Sequence, residues 1–339
     1  MSGQTLNIST SPHLTKGLGT DTIMFHVVLA MMPATCFAVY SFGINAALVV
    51  ITAVLSCVFT EHVLCKLSGK PSTINDWSAV ITGVLLGLVL PPIFPLWMTF
   101  LGGVIAIGMG KFMFGGLGYN VFNPALVGRA VLQAAFPVAI TTWYAAFQSD
   151  RFSSISSSVL AFPFMEPTVD AMSGATPLSA FKFDGVSADS MDLALGYISG
   201  STGETSALFI LLGGLYLVIR NFMNWRIPVS ILGTVFVLSS ILYMINPETY
   251  PSPMFMLFSG GLMLGAVFMA TDMVASPITS LGVVIYGFVI GLLVVVIRIW
   301  GGLPEGVMYA ILLGNAISPH IDRLVHNRVY GTTKKKVSE

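Results

Sequence analysis

The chain has 339 residues, of which 55% are hydrophobic and 9% charged, and its 15 basic and 15 acidic side chains cancel. Soluble domains carry about a quarter charged residues, so this composition excludes one and predicts a polytopic membrane protein; zero net charge leaves no basic field to draw in nucleic acid. Three cysteines, Cys36, Cys57 and Cys65, without C-x-x-C spacing can build neither a disulfide framework nor an iron–sulfur ligand set.

In chain order, residues 1–22 form a polar N-terminal segment with no positive region running into a short apolar core and cleavage site, so they are expected to stay on the mature chain. A transmembrane helix needs about 20 apolar residues, fewer when broken or re-entrant. Ten segments qualify: 24–41, 46–66, 78–92, 96–113, 124–140, 206–220, 227–245, 254–271, 280–299 and 305–319. They predict an all-α integral membrane protein with a first five-helix unit at 23–140 and a second at 206–319. A polar segment, 141–205, separates the two, and a basic tail, 320–339, follows.

The two halves repeat each other. "GGLGYNVFNPALVGRA" (115–130) lies without a gap over "GGLPEGVMYAILLGNA" (301–316) with seven identities. At a similar offset "LGGVI" (101–105) matches "LGVVI" (281–285), "TGVLLG" (82–87) matches "GGLMLG" (260–265), and Pro71-Ser72 matches Pro251-Ser252. Five spans is an odd number, so the second half enters from the opposite side, which makes an inverted-topology repeat.

Orientation follows from the basic residues near span ends. With both termini in the cytoplasm, Lys16, Lys66, Lys70, Lys111, Arg220, Arg226, Arg323, Arg328 and Lys334 to Lys336 fall inside, with Arg129 near that face. Arg151, Lys182 and Arg298 fall outside, and so does segment 141–205.

That outer segment holds "DAMSGATPLS", residues 170–179. Gly174 permits a positive φ, and Ser173 and Thr176 can bond to nearby backbone, so the stretch reads first as a turn. A threonine hydroxyl is a weak nucleophile without a base, and the segment contains no histidine. No catalytic residue and no metal site is expected here. What remains for Thr176 is the role of a substrate for modification, with the small Ser-Gly-Ala lead-in giving another enzyme access.

Asp170, Ser173, Gly174, Ala175 and Thr176 resemble the flavinylation motif D-x-x-[ST]-G-A-[ST], in which a flavin transferase joins FMN to the last hydroxyl as a phosphoester. With "SPHL" near the N-terminus and "NVFNPALVGRA" at 120–130, the chain resembles the family of the D subunit of the Rnf complex and the B subunit of the sodium-pumping NADH:quinone oxidoreductase. The latter carries a longer extension before its first span, which here starts near Ile23, so the former is the better match. The resemblance implies a bacterial inner-membrane protein that carries covalent FMN at Thr176 and works with other Rnf subunits. Its complex would couple ferredoxin:NAD⁺ electron transfer to Na⁺ or H⁺ translocation. It also implies noncovalent riboflavin in some members. The rival readings are the quinone-reducing relative and a small-solute channel.

Span three stops at Pro91-Pro92 and its repeat partner at Thr271-Asp272; paired interruptions of this kind point to a central site. Glycines that serve only close helix packing are the alternative. Asp272 is either functional or interfacial. Arg129 either binds a flavin phosphate or snorkels to the headgroups of membrane lipid. Lys111 and Arg298 read as interfacial, and Glu61 with His62 as a cytoplasmic surface pair or a proton relay. "GGLG" at 115–118 follows no strand, so a dinucleotide loop is excluded.

Overall fold

The computed structural model of the chain describes residues 19–163, 165, 176–185, 188–203 and 206–325. Asp170, Ser173, Gly174 and Ala175 lie outside the described residues, as do 1–18 and 326–339. Among the described residues the fold is all helical, with no strand.

The first half contains α1 (Thr20–Phe42), α2 (Ile44–Leu67), α3 (Ser78–Val89), α4 (Leu96–Gly110), α5 (Pro124–Ala135) and α6 (Pro137–Thr141). The connecting segment contributes α7 (Pro177–Ser179), which runs on as a π turn (Ala180–Asp184), and α8 (Ser190–Leu195). The second half contains α9 (Ala207–Ile219), α10 (Arg226–Ile245), α11 (Pro253–Phe258), α12 (Leu262–Leu264, continued by a π turn over Gly265–Met269), α13 (Ser280–Trp300) and α14 (Val307–Leu324). Among the described residues five helices are long and apolar enough to cross a membrane: Thr20–Phe42, Ile44–Leu67, Leu96–Phe114, Arg226–Ile245 and Ser280–Trp300. Ser78–Val89 and Ala207–Ile219 are apolar but shorter. Their outer faces carry apolar side chains in the open, such as Leu55, Phe59, Leu215 and Leu281, as lipid contact requires.

Two predicted spans are broken, for different reasons. Segment 124–140 is interrupted at Phe136 because Pro137 has no N–H and cannot continue the helix. Segment 254–271 is interrupted at Ser259-Gly260-Gly261, where Gly260 takes a φ of +63°.

The halves pack alike. In the first, α2 lies against α3 and α4, and α4 against α5; in the second, α10 lies against α11 and α13, and α13 against α14. Between the halves α1 packs on α9, and His26 Nδ1 bonds to Tyr216 Oη at 2.7 Å. Glycines permit the closest approaches: a Cβ at Gly87 would lie 2.8 Å from Val50 Cα, and one at Gly265 2.5 Å from Val307 Cγ1.

Two helices reach only part of the way. α3 is about 18 Å long and α12 with its π turn about 12 Å, at 1.5 Å per residue, against an apolar core of about 30 Å. They run in opposite senses between two cavities. α3 begins at Ser78 on one cavity and ends where Gly203 N–H donates to Leu88 O at 2.7 Å. α12 follows Gly260, on the other cavity, and its π turn ends at the first, beside Phe268 and Thr271. α1 fixes the separation of these ends: Ile23 lines the first cavity, and at its far end Ser41 O accepts from Phe147 N–H of the connecting segment.

Candidate functional site

The larger cavity, about 530 Å³, opens between the connecting segment and both halves, and both Thr176 and Arg129 line it. Thr176 is half-buried and extended. Its Oγ1 accepts from Ser179 N–H at 3.2 Å and shares a 2.9 Å bond with the Ser179 hydroxyl. Pro177, at the first helical position where no N–H is needed, sets the turn.

Two anchors hold this turn over the break between α11 and α12. Leu178 packs with Leu193 and Phe255, close enough to Gly260 that a Cβ there would lie 2.7 Å from its Cδ1. Lys182 Nζ donates to the carbonyls of Arg298 (3.0 Å), Leu303 (3.1 Å) and Gly301 at the end of α13. Partial burial there lowers the Lys182 pKa from the ordinary lysine value.

Arg129 reaches the cavity from α5, whose start is fixed by Asn123: its side-chain oxygen accepts from Ala125 N–H (3.0 Å), and its Nδ2 donates to Met269 O (3.2 Å). Arg129 is 7% exposed, and its Nη2 pairs with Glu305 Oε2 at 3.0 Å. Glu305 Oε1 accepts from Gly261 N–H at 2.5 Å. Arg298, 4% exposed, donates to Met256 O (2.6 Å) and Ser259 O (2.9 Å). The broken helix is therefore capped by full charges: a cation on the carbonyl end of α11 and an anion on the N–H end of α12, each the sign that the helix dipole favours.

Arg129 thus belongs to the cavity it shares with the connecting segment, not to the opposite face where its charge alone placed it, and it does not snorkel. Arg298 and Lys111 are likewise buried in the protein rather than exposed. Lys111 Nζ pairs with Glu61 Oε1 (2.7 Å) and bonds to Ser78 Oγ (2.6 Å), while His62 is exposed beside this pair. Glu305 was not singled out by sequence. The signal available was an acid inside "GGLPEG", opposite Tyr119 in the repeat alignment.

The second cavity, about 120 Å³, is lined by Thr82 and Leu85 of α3 and by Phe268, Thr271 and Asp272; Pro91 and Pro92, where the third span stops, do not line it. Asp272 Oδ2 accepts from Asn120 Nδ2 (3.0 Å) and Oδ1 from Val274 N–H (3.1 Å). Among the described residues no group of three His, Cys, Asp or Glu could hold a metal ion.

The larger cavity suits a flavin mononucleotide. Its volume lies within the range of about 300–1,000 Å³ for cofactor pockets, a hydroxyl stands in its wall, Trp143 and Phe183 offer aromatic faces, and Arg129 supplies a buried cation. The smaller cavity, about 120 Å³, falls below that range.

Long apolar helices, lipid-facing exteriors and charged caps on an interrupted helix define a multi-pass membrane protein with a polar site at one end. The chain belongs to the NQR2, RnfD, RnfE family, whose pattern it matches over residues 7–331. It is 42% identical to the D subunit of the proton-translocating ferredoxin:NAD(+) oxidoreductase complex of Clostridium ljungdahlii, covering 96% of each chain. It is 41% identical to the D subunit of the Na(+)-translocating ferredoxin:NAD(+) oxidoreductase complex of Acetobacterium woodii, covering 98% of this chain and 97% of that one. With the D subunit of the ion-translocating oxidoreductase complex of Alcanivorax borkumensis the identity is 39%, over 95% of this chain and 96% of the relative.

Proposed function

We propose that this chain is the D subunit of an ion-translocating ferredoxin:NAD⁺ oxidoreductase complex of the bacterial inner membrane, and that it carries FMN joined through its phosphate to Thr176 Oγ1. The observation that carries the reading is likeness along nearly the whole chain to such proteins, at 41–42% identity, together with Thr176 standing in the wall of a cofactor-sized cavity. The chain is an oxidoreductase component that does not act alone, and it needs partner subunits and a flavin transferase.

A bound flavin would supply stepwise electron acceptance and release. The chain's own residues supply the rest: Thr176 anchors, Leu178 and Lys182 fix the anchoring turn on the protein, and the apolar walls limit water.

The architecture we propose is ten helical elements in two inverted repeats, with both termini cytoplasmic and the Thr176 cavity on the outer side. The opposed half-helices α3 and α12 and the like packing of the two halves support the inversion, and the basic residues support the orientation. A cysteine placed at Met191, which is 66% exposed, in a background without the native cysteines, is expected to react with an impermeant thiol reagent on intact cells. Reaction only in inverted vesicles reverses the orientation.

The cofactor assignment is tested on a denaturing gel. The wild-type band is expected to fluoresce as a flavoprotein and the Thr176→Ala band to be dark, with equal insertion. Gly174→Val, which crowds the lead-in to the hydroxyl, is expected to lower flavinylation. A fluorescent Thr176→Ala band moves the attachment to another residue, and a dark wild-type band reopens the channel reading.

A further inference from the structure

Arg151 stands at the junction of the two long apolar helices α1 and α2. Its carbonyl accepts from Ile44 N–H at 3.0 Å, and Gly43, between the helices, has a φ of +73° and leaves no room for a Cβ beside that carbonyl. The guanidinium is held by rings: its Cζ lies 5.3 Å from the centre of Tyr40, 5.6 Å from that of Phe147 and 5.1 Å from that of Phe152, each within cation–π range. Phe147 takes a φ of +60°, a conformation that bulky residues avoid, and its N–H donates to Ser41 O, which ties it to the end of α1. Nη1 of Arg151 donates to Gln148 O at 3.1 Å, and among the described residues Arg151 forms no ion pair. The neighbouring Asp150 turns its carboxylate to the Ser154 hydroxyl at 3.0 Å.

An apolar stripe leads up to this cation. Phe25, Leu29, Met32, Cys36 and Tyr40 recur every three or four residues along α1, so they share one face, and all five are exposed. Tyr40 belongs both to the stripe and to the ring cage. Tyr197, also exposed, stacks its ring 5.2 Å from that of Phe147. Tyrosines gather where the apolar layer of a membrane meets water.

We infer that Arg151 binds the phosphate of an acidic phospholipid, one of whose acyl chains lies along the α1 stripe. The planar guanidinium offers paired N–H groups that match phosphate oxygens. A phospholipid fits both parts of the arrangement, anion on cation and chain on stripe, whereas inorganic phosphate would leave the stripe uncovered. The lipid belongs to the leaflet on the side of the connecting segment. This site is independent of any cofactor at Thr176.

Native mass spectrometry tests it on the full chain, purified in detergent with the subunits that accompany it, stripped of lipid and titrated with phosphatidylglycerol. Wild type is expected to take up one lipid at least tenfold more tightly than R151Q does. R151K, which keeps the charge without the planar fork, is expected to lie between them. Y40L keeps the cation but removes one ring of its cage, and it is expected to weaken uptake severalfold; it carries the test if R151Q does not fold. Phosphatidylcholine, which has no net charge, is expected to bind wild type more weakly, and inorganic phosphate in large excess to leave the phosphatidylglycerol in place. Equal uptake by wild type and the variants overturns the inference. So does displacement by inorganic phosphate, which would make this a free-anion site, and so does loss of a subunit from R151Q at unchanged lipid uptake, which would give the face to a partner protein.

Discussion

α3 and α12 face the same physical problem, a helix that stops inside an apolar layer with its backbone ends unsatisfied, and they meet it with different chemistry. The C-terminal end of α3 is closed by neutral groups: Gly203 N–H on Leu88 O, and Thr202 N–H and hydroxyl on Leu90 O. The break before α12 is closed by Arg298 and Glu305. Neutral caps suffice for folding, as α3 demonstrates. The charged caps stand beside Thr176 and Arg129, so they also set the electrostatics of the cavity there. The difference separates a break closed by neutral groups from a break closed by charges at the wall of a cavity.

Removing the caps puts that contrast to the test. Arg298→Met leaves two carbonyls in the membrane interior without their donor and Glu305 with one buried cation fewer nearby, a loss expected to cost about 3–5 kcal/mol, the range for breaking a buried ionic network. The yield of folded protein in detergent should fall sharply. Gly87→Leu is expected to cost about 1–3 kcal/mol by overpacking, and more than Gly265→Leu. At Gly87 the obstacle is the Val50 backbone, whereas at Gly265 it is the movable Val307 side chain. A thermal melt that ranks Gly265→Leu as the worse would contradict this. Thr202→Val keeps the backbone donor to Leu90 O and removes only the hydroxyl bond, so about 1 kcal/mol is expected; a loss as large as that of Arg298→Met would erase the distinction between the two caps. Asp272→Asn, in the smaller cavity, keeps size and removes charge. It is expected to leave folding and covalent FMN unchanged and to slow ferredoxin-to-NAD⁺ electron transfer, and full transfer across a range of Na⁺ concentration and pH would make Asp272 a structural residue.

The five long helices were legible because lipid demands long apolar runs. The breaks at Pro137 and Gly260 lie inside apolar runs, where hydropathy is blind to a missing N–H or a positive φ. Thr176 could be singled out because the small Ser-Gly-Ala lead-in before it is a feature of local sequence. The burial of Arg129, Arg298 and Lys111 was not legible because charge counting treats every cation as seeking water. Only the folded chain brings Glu305 to Arg129, 176 positions away in sequence, and Glu61 to Lys111.

The central claim is that Thr176 holds the cofactor in covalent form, and the most direct measurement is the mass of the proteolytic peptide that contains it. The account predicts a wild-type peptide heavier by one FMN less one water, with fragmentation placing the added mass on Thr176 rather than on Ser173 or Ser179. An unmodified peptide from fully assembled complex, purified from cells that make the flavin transferase, would contradict it.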